Sequence, residues 1–140
     1  MSSSGYTVVI CLCDNNGMTF FGKRQSRDRL LIEDLCANAK SPIYIESYSL
    51  PLFEGKEDLV RVVNKIPDDV PAGGLIFSER VSPEPFISDA AGLIIYRWGR
   101  KYPADVRFDL DPESVGFSKA YELELVGSSH EKITKGVFER

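Results

Sequence analysis

The sequence predicts one α/β domain, with a mixed and mainly parallel sheet flanked by helices and an antiparallel series of strands at the carboxyl-terminal end. The length of 140 residues suits a single hydrophobic core, and no shift of composition divides residues 1–140. In the first half, short β-branched runs alternate with segments of helical periodicity, which favours parallel strands joined by right-handed crossovers. In the second half, apolar runs are separated by turn residues, which favours antiparallel strands.

The first strand and the first helix have clear local signals. Residues 6–13 (YTVVICLC) form a β-branched run that ends at Asn16-Gly17, a strong turn signal. Ser26 is predicted to cap a helix with Asp28 in its first turn. The apolar positions of this helix have i, i+3, i+4 spacing and end before Lys40 and Pro42: Leu31, Ile32, Leu35, Cys36 and Ala39.

The next elements complete a β-α-β-α-β order. Residues 43–48 (IYIESY) predict a strand, and residues 75–78 (LIFS) predict another. Between them, residues 56–66 predict a helix that Pro67 ends. One face of that helix would carry the apolar residues Leu59, Val62, Val63 and Ile66.

Three further segments predict the antiparallel strands, namely residues 92–98, 105–110 and 117–126. Residues 128–140 allow two readings. Ser128 and Glu131 have the spacing of a helix capping box, whereas Ile133, Val137 and Phe138 would also suit an edge strand that ends the chain. We prefer the strand.

Composition excludes several classes of protein. No apolar run approaches the ~20 residues of a membrane span, and the amino terminus lacks a targeting pattern, so we expect a soluble, cytoplasmic protein. The formal charge of −4 argues against wholesale nucleic-acid binding. Cys11, Cys13 and Cys36 lack the C-x-x-C spacing of a zinc or redox site, so we expect small buried side chains.

Two basic segments are candidate binding surfaces. Lys23, Arg24, Arg27 and Arg29 surround a loop-to-helix junction that could bind phosphate, but a solvated helix end is the simpler explanation. Residues 96–102 interleave aromatic and basic side chains, as single-strand nucleic-acid surfaces do, but alternation along a strand is the simpler explanation: Tyr96, Arg97, Trp98, Arg100, Lys101 and Tyr102.

His130 is the only histidine. A single imidazole excludes metal hydrolases that need several, and Ser128 and Ser129 are too close in sequence to complete a Ser-His-Asp site with it. Acidic residues numerous enough for a magnesium site usually face water, so we assign no metal to Glu33, Asp34, Asp109, Asp111 and Glu113.

Three segments resemble a group of small uncharacterised proteins of Gram-positive gut bacteria: residues 15–35, 95–105 and 127–135. Some members of that group carry the label ribonuclease Z. The label implies a metallo-β-lactamase domain with an H-x-H-x-D-H zinc motif, which a 140-residue chain with one histidine does not contain.

A second resemblance is to dihydrofolate reductase, and it extends thinly over most of the chain. In this chain the loop Cys13-Asp14-Asn15-Asn16-Gly17 is similar to the family's D-x-N-G loop. Residues 75–80 (LIFSER) and 136–140 (GVFER) are similar to later segments of the family's sequences. The resemblance implies a dihydrofolate-reductase-like fold, NADPH as cofactor, and Asp28 as the acidic residue that helps to protonate the substrate ring.

The sequence departs from that family at the cofactor motifs. The position of the family's G-R-x-T motif reads Glu46-Ser47-Tyr48-Ser49, where a carboxylate would repel phosphate. Residues 81–89 are too few for the nucleotide-binding helix. We therefore assign no cofactor, although NADPH remains an alternative.

The leading hypothesis is a ligand cleft at the carboxyl ends of the parallel strands. A small anionic or heterocyclic ligand would contact Arg24, Arg27, Asp28 and Tyr48, and burial would raise the pKa of Asp28 so that it could donate a proton. Two alternatives stay open: an RNA- or protein-binding regulatory domain without catalysis, and an active NADPH-dependent reductase. Whether the protein is an enzyme is left undecided.

Overall fold

The computed structural model describes residues 5–39 and 42–140. It contains ten strands, which we number in chain order: β1 (Thr7–Leu12), β2 (Gly17–Phe20), β3 (Lys23–Arg24), β4 (Ile43–Ile45), β5 (Val60–Val62), β6 (Leu75–Phe77), β7 (Gly92–Arg97), β8 (Val106–Arg107), β9 (Ser118–Leu125) and β10 (Ile133–Glu139). Within the described residues the one α-helix is α1 (Arg29–Asn38), and none of the described helices is long and apolar enough to cross a membrane.

The main sheet has seven strands in the order β5-β4-β6-β1-β7-β10-β9. The five strands from β5 to β7 run parallel to one another, and β10 runs antiparallel to both β7 and β9. This mixed, mostly parallel sheet confirms the predicted fold class. The predicted antiparallel series begins later than expected, because β7 pairs in parallel with β1.

Strand β1 lies in the middle of the sheet and is apolar on both faces, as buried parallel strands are. Val9 points to the side that α1 covers, where it packs with Leu31 and Leu35. Val8 and Ile10 point to the opposite side. This alternation divides the core into two layers, one on each face of the sheet.

Helix α1 has its predicted apolar stripe, since Leu31, Ile32 and Leu35 are buried. Its start differs from the prediction. Asp28, and not Ser26, is the N-cap residue, because its carboxylate accepts hydrogen bonds from the Leu30 and Leu31 amides. Asp28 therefore precedes the first turn. The predicted end at Lys40 lies outside the described residues.

The predicted helix over residues 56–66 is wrong. A short 3₁₀ turn, Glu57–Leu59, leads into β5, which pairs in parallel with β4. Val60 is only 6% exposed, whereas Leu59 and Val62, assigned to the buried face of the helix, are 45% and 48% exposed. β-Branched side chains suit a strand, and pairing with β4 decides between the two structures. The β-α-β-α-β order therefore lacks its second helix.

The carboxyl-terminal half contains β9 within predicted residues 117–126, and residues 133–139 form strand β10 rather than a helix. β10 is an interior strand and not the expected edge, since it pairs with β7 on one side and β9 on the other. Of residues 105–110, which were predicted to form a strand, only Val106–Arg107 do so, as β8. It pairs with β2 in a separate three-stranded sheet of order β3-β2-β8.

The aromatic and basic residues of segment 96–102 differ in burial, as the simpler explanation predicted. Tyr96 and Trp98 are buried, and Arg100 and Lys101 are exposed. The hydroxyl of Tyr96 donates to the Asp34 carboxylate of α1 at 2.7 Å. Because these two rings belong to the core, they are not available for stacking on bases.

Candidate functional site

A narrow slot lies at the carboxyl ends of β1, β6 and β7. Most of its exposed wall is apolar. Apolar and polar side chains together line it: Cys11, Met18, Arg24, Gln25, Ser26, Arg27, Asp28, Leu31, Ile32, Leu52, Phe77, Ser78, Glu79 and Trp98. Its free volume is about 20 Å³, which is room for about one water molecule. The structure thus brings Arg24, Arg27 and Asp28 together, and it leaves Tyr48 outside the slot lining.

Asp28 is buried in a shell of hydrogen-bond donors. Its Oδ1 accepts from the amides of Leu30, Leu31 and Ser128 at 3.0, 3.2 and 2.9 Å. Its Oδ2 accepts from the Ser129 amide at 2.8 Å. The hydroxyls of Ser128 and Ser129 add further contacts at 3.2 Å. The carboxylate therefore joins the start of α1 to the loop between β9 and β10.

The predicted rise in the pKa of Asp28 is wrong. Burial by itself would raise this pKa, but the hydrogen bonds from Ser128, Ser129, His130 and Leu31 outweigh burial and hold the pKa well below its ordinary value. A carboxyl group that stays ionised at neutral pH has no proton to donate. The geometry instead suits Asp28 to orient a neighbouring group.

That neighbour is His130. Its Nδ1 lies 3.1 Å from Asp28 Oδ2, and its Nε2 lies 3.0 Å from Ser26 Oγ and 3.3 Å from the Tyr102 hydroxyl. The imidazole stacks on Trp98 with the ring centroids 4.6 Å apart. Because Nδ1 faces a carboxylate, we assign the proton to Nδ1, which leaves the single lone pair of Nε2 to accept from one of the two hydroxyls.

Arg24 belongs to a separate ionic network beside the slot. Its Nε and Nη2 form a two-pronged ion pair with Glu79 at 2.8 and 3.0 Å, and the Ser49 hydroxyl donates to the same carboxylate. Arg24 and Arg80 lie 4.6 and 4.3 Å from the centre of the Tyr48 ring. Hydrogen bonding to Glu79 raises the pKa of Arg24. The charge of Arg24 is therefore neutralised locally.

A wider groove adjoins the slot and shares Arg27, Asp28, Ile32 and Leu52 with it. Its volume is about 440 Å³, and it is also lined by Arg29, Glu33, Pro51, Glu54, Gly55 and Lys56. Arg29 is paired with Glu33 at 3.0 Å. Among the described residues, the structure shows no ion pair to the side chains of Arg27, Lys56 and Glu54, which leaves two free cations and one free carboxylate.

The start of α1 does not offer a phosphate site. Its first amide donates to the Ser128 hydroxyl at 3.0 Å, and the next two donate to Asp28. An anion at this helix terminus would find these amides already occupied. Of the predicted basic cluster, Lys23 and Arg27 remain exposed, while Arg24 and Arg29 are each paired with a carboxylate.

The cysteines and carboxylates show no metal arrangement. Within residues 5–39 and 42–140, no three His, Cys, Asp or Glu side chains lie together in a way that could hold a metal ion. Cys11, Cys13 and Cys36 are free thiols. Cys13 is buried and Cys11 is half-buried at the slot, where burial, with Glu79 nearby, raises the pKa of the Cys11 thiol.

Sequence reasoning missed the connection between His130 and Ser26. Only the neighbouring Ser128 and Ser129 were considered as partners of the histidine. Both donate to Asp28 through their amides, and the Ser129 hydroxyl also lies 3.3 Å from His130 Nδ1. The signal in the sequence was the run Gly127-Ser128-Ser129-His130, which concentrates donors beside the only imidazole. Gly127 is required there, because a Cβ at this position would collide with the Asp28 carboxylate.

Comparisons with known proteins address the fold. No protein-family model matches the chain, and no curated protein sequence matches it. Among solved structures, the chain is similar to a dihydrofolate reductase from Enterococcus faecalis complexed with NADP(H) and RAB-propyl. The TM-score is 0.66 at 11% identity, over 99% of this chain and 97% of that chain. The chain has a dihydrofolate-reductase-like fold. Nothing in the comparisons supports the ribonuclease Z label.

The segments that the sequence analysis compared with cofactor motifs contain carboxylates. Glu46 precedes the 3₁₀ turn Ser47–Phe53, and Glu79 follows β6 with its charge directed at Arg24. Residues Glu84–Asp89 form a 3₁₀ turn and not a nucleotide-binding α-helix. Carboxylates in place of amides and free cations disfavour phosphate.

Proposed function

We propose that this protein is a dihydrofolate-reductase-like protein that binds a small anionic or heterocyclic molecule in the groove beside the slot. The observation that carries the proposal is the pair of free cations, Arg27 and Lys56, facing a groove whose apolar wall contains Ile32 and Leu52. A volume of about 440 Å³ falls within the ordinary range of small-molecule sites.

The position in the fold supports the proposal. The slot lies beyond the carboxyl ends of three parallel strands, and the groove shares four lining residues with it. Ligands of open α/β sheets bind at this edge. A ligand with one planar apolar part and one negative charge would place the apolar part on Ile32 and Leu52 and its charge between Arg27 and Lys56.

The other predicted site residues have supporting roles in this proposal. Arg24 lines the slot and is held by Glu79 and Tyr48, and Asp28 fixes the loop that carries His130. Arg27 is the predicted site residue that remains free to contact a ligand. Location in the cytoplasm of a bacterium is part of the same proposal.

The test is a binding screen by thermal shift and by Trp98 fluorescence, with NADPH, NADP, dihydrofolate, folate, AMP and a short RNA. Trp98 is the only tryptophan and lines the slot, so its emission reports on a ligand that extends from the groove into the slot, while thermal shift reports on binding in the groove. We expect a small anionic heterocycle to raise the Tm, since a ligand at ~100 times its Kd adds ~2.7 kcal/mol to stability.

Substitutions identify the groove as the binding site. We expect Arg27→Gln and Lys56→Gln each to weaken binding about tenfold, the effect of ~1.4 kcal/mol lost from a charged contact. Lys23→Gln is the matched control, because Lys23 is exposed on β3 and does not line the groove.

Three results would exclude the proposal: no ligand response at millimolar concentration, equal affinity in the Arg27→Gln variant, or a response to RNA alone. A response to RNA alone would favour the regulatory alternative, whose exposed cations are Arg100 and Lys101. Binding of NADPH together with its oxidation by dihydrofolate would establish the reductase alternative.

A further inference from the structure

The contacts of His130 form a chain of three polar side chains. Asp28 Oδ2 lies 3.1 Å from Nδ1 of the imidazole, and Ser26 Oγ lies 3.0 Å from Nε2. Asp28 and His130 are buried, while Ser26 is half-buried and lines the slot. A carboxylate that orients an imidazole, which in turn faces a hydroxyl, is the arrangement that activates a serine nucleophile.

We propose that Ser26, His130 and Asp28 form an acyl-transfer site that hydrolyses small carboxylic esters. Ser26 is the nucleophile, His130 is the general base, and Asp28 is a positioning residue that holds the proton on Nδ1. This proposal goes beyond ligand binding but rests on the groove of the proposed function for its substrate.

The reaction balances with water as the only co-reactant. Ser26 Oγ attacks the ester carbon as Nε2 of His130 takes its proton, and the new C–O bond gives a tetrahedral oxyanion. Collapse breaks the bond to the alcohol, which leaves with the proton from Nε2. Water then attacks the acyl-serine, with Nε2 as base, and releases the acid while Ser26 regains its proton.

The surroundings of Ser26 suit this chemistry. The neighbouring Arg27 lines both the slot and the groove and is in no described ion pair, so its positive charge is available to stabilise an oxyanion. Tyr102 contributes a second hydroxyl at Nε2, 0.3 Å farther away than Ser26 (3.3 against 3.0 Å). Trp98 covers one face of the imidazole and limits its movement.

The size of the slot selects the substrate class. About 20 Å³ of free space beside Ser26 is room for about one water-sized group, so the largest acyl substituent that enters the slot is the methyl group of an acetyl ester. The wider groove, with Arg27 and Lys56, suits a larger and negatively charged alcohol part. The expected substrates are therefore acetyl-sized esters of anionic alcohols or phenols.

The test is covalent labelling of the full-length protein with a fluorophosphonate, followed by peptide mass spectrometry. We expect one adduct, on Ser26, and none in the Ser26→Ala variant. Labelling in the His130→Gln variant should be at least 100-fold slower, because the hydroxyl loses its base. Ser118→Ala is the control: Ser118 is exposed on β9, and the wild-type rate should persist.

Absence of an adduct on Ser26, or labelling of a folded His130→Gln variant at the wild-type rate, would overturn the inference. Because His130 is buried, its substitution can prevent folding. A second measurement therefore does not depend on the His130→Gln variant. p-Nitrophenyl acetate should give a burst of nitrophenolate and an acetyl group on Ser26, and both should vanish in Ser26→Ala. If the protein binds an anion in the groove but shows neither result, the proposed ligand binding stands and the proposed ester hydrolysis is wrong.

Discussion

At the scale of single residues, Asp28 shows how partners decide the role of a carboxylate. The resemblance to dihydrofolate reductase implied a proton donor, because Asp28 matches the position of that family's acidic residue early in the helix. The structure surrounds the carboxylate with donors from α1 and from residues 128–130. Hydrogen bonds to the charged form outweigh burial, so the residue caps a helix and orients His130.

Acid stability tests this account of Asp28. Its pKa is lowered from 3.8 on folding, so its stabilisation is complete well above pH 4 and is lost as the pH falls towards the lower folded pKa. We expect Asp28→Asn to remove roughly 2 kcal/mol of the pH-dependent free energy of unfolding between pH 5 and pH 2. Urea unfolding at several pH values measures this.

The control for that experiment is Asp14→Asn, which changes an exposed carboxyl group after β1. The Asp14→Asn variant should keep the wild-type slope of stability against pH. Equal slopes in the wild type and the Asp28→Asn variant would show that Asp28 does not have the lowered pKa.

At the scale of secondary-structure elements, local signals were sufficient where they agreed with long-range pairing. The turn after β1 and the apolar stripe of α1 were both predictable, because each depends on residues close in sequence. The segment of residues 56–66 has helical spacing, but Val60, Val62 and Val63 are β-branched, and β4 offers a strand to pair with. The spacing of apolar residues within a segment does not show whether that segment will pair with another strand.

Two valines distinguish the strand from the predicted helix. In the structure, Val60 is 6% and Val62 is 48% exposed. We expect Val60→Ala to lower the free energy of unfolding by about 1–2 kcal/mol, and Val62→Ala by less than about 0.5 kcal/mol. Chemical denaturation of the two variants gives the comparison. The predicted helix buries Val62 and omits Val60 from its apolar face, so the reverse order would support the helix.

At the scale of the whole molecule, the common direction of β4, β6 and β1 followed from the order of elements and is confirmed. The order of elements did not predict the whole site. Asp28 and His130 are separated by 102 positions, and the pairing of β10 with β7 brings the loop before β10 to the start of α1. Patterns within a segment do not show which distant loop will supply a partner, so Ser26 was assigned only as a cap.

Asp28, His130 and Ser26 meet in one chain of contacts at the slot. Proton NMR in water tests it most directly, because the protein has a single histidine and a single tryptophan. We expect one downfield imidazole N–H signal that exchanges slowly, is lost in Asp28→Asn, and shows nuclear Overhauser contacts from the ring to Trp98. Rapid exchange of that proton, with no contact to Trp98, would contradict the site described for this protein.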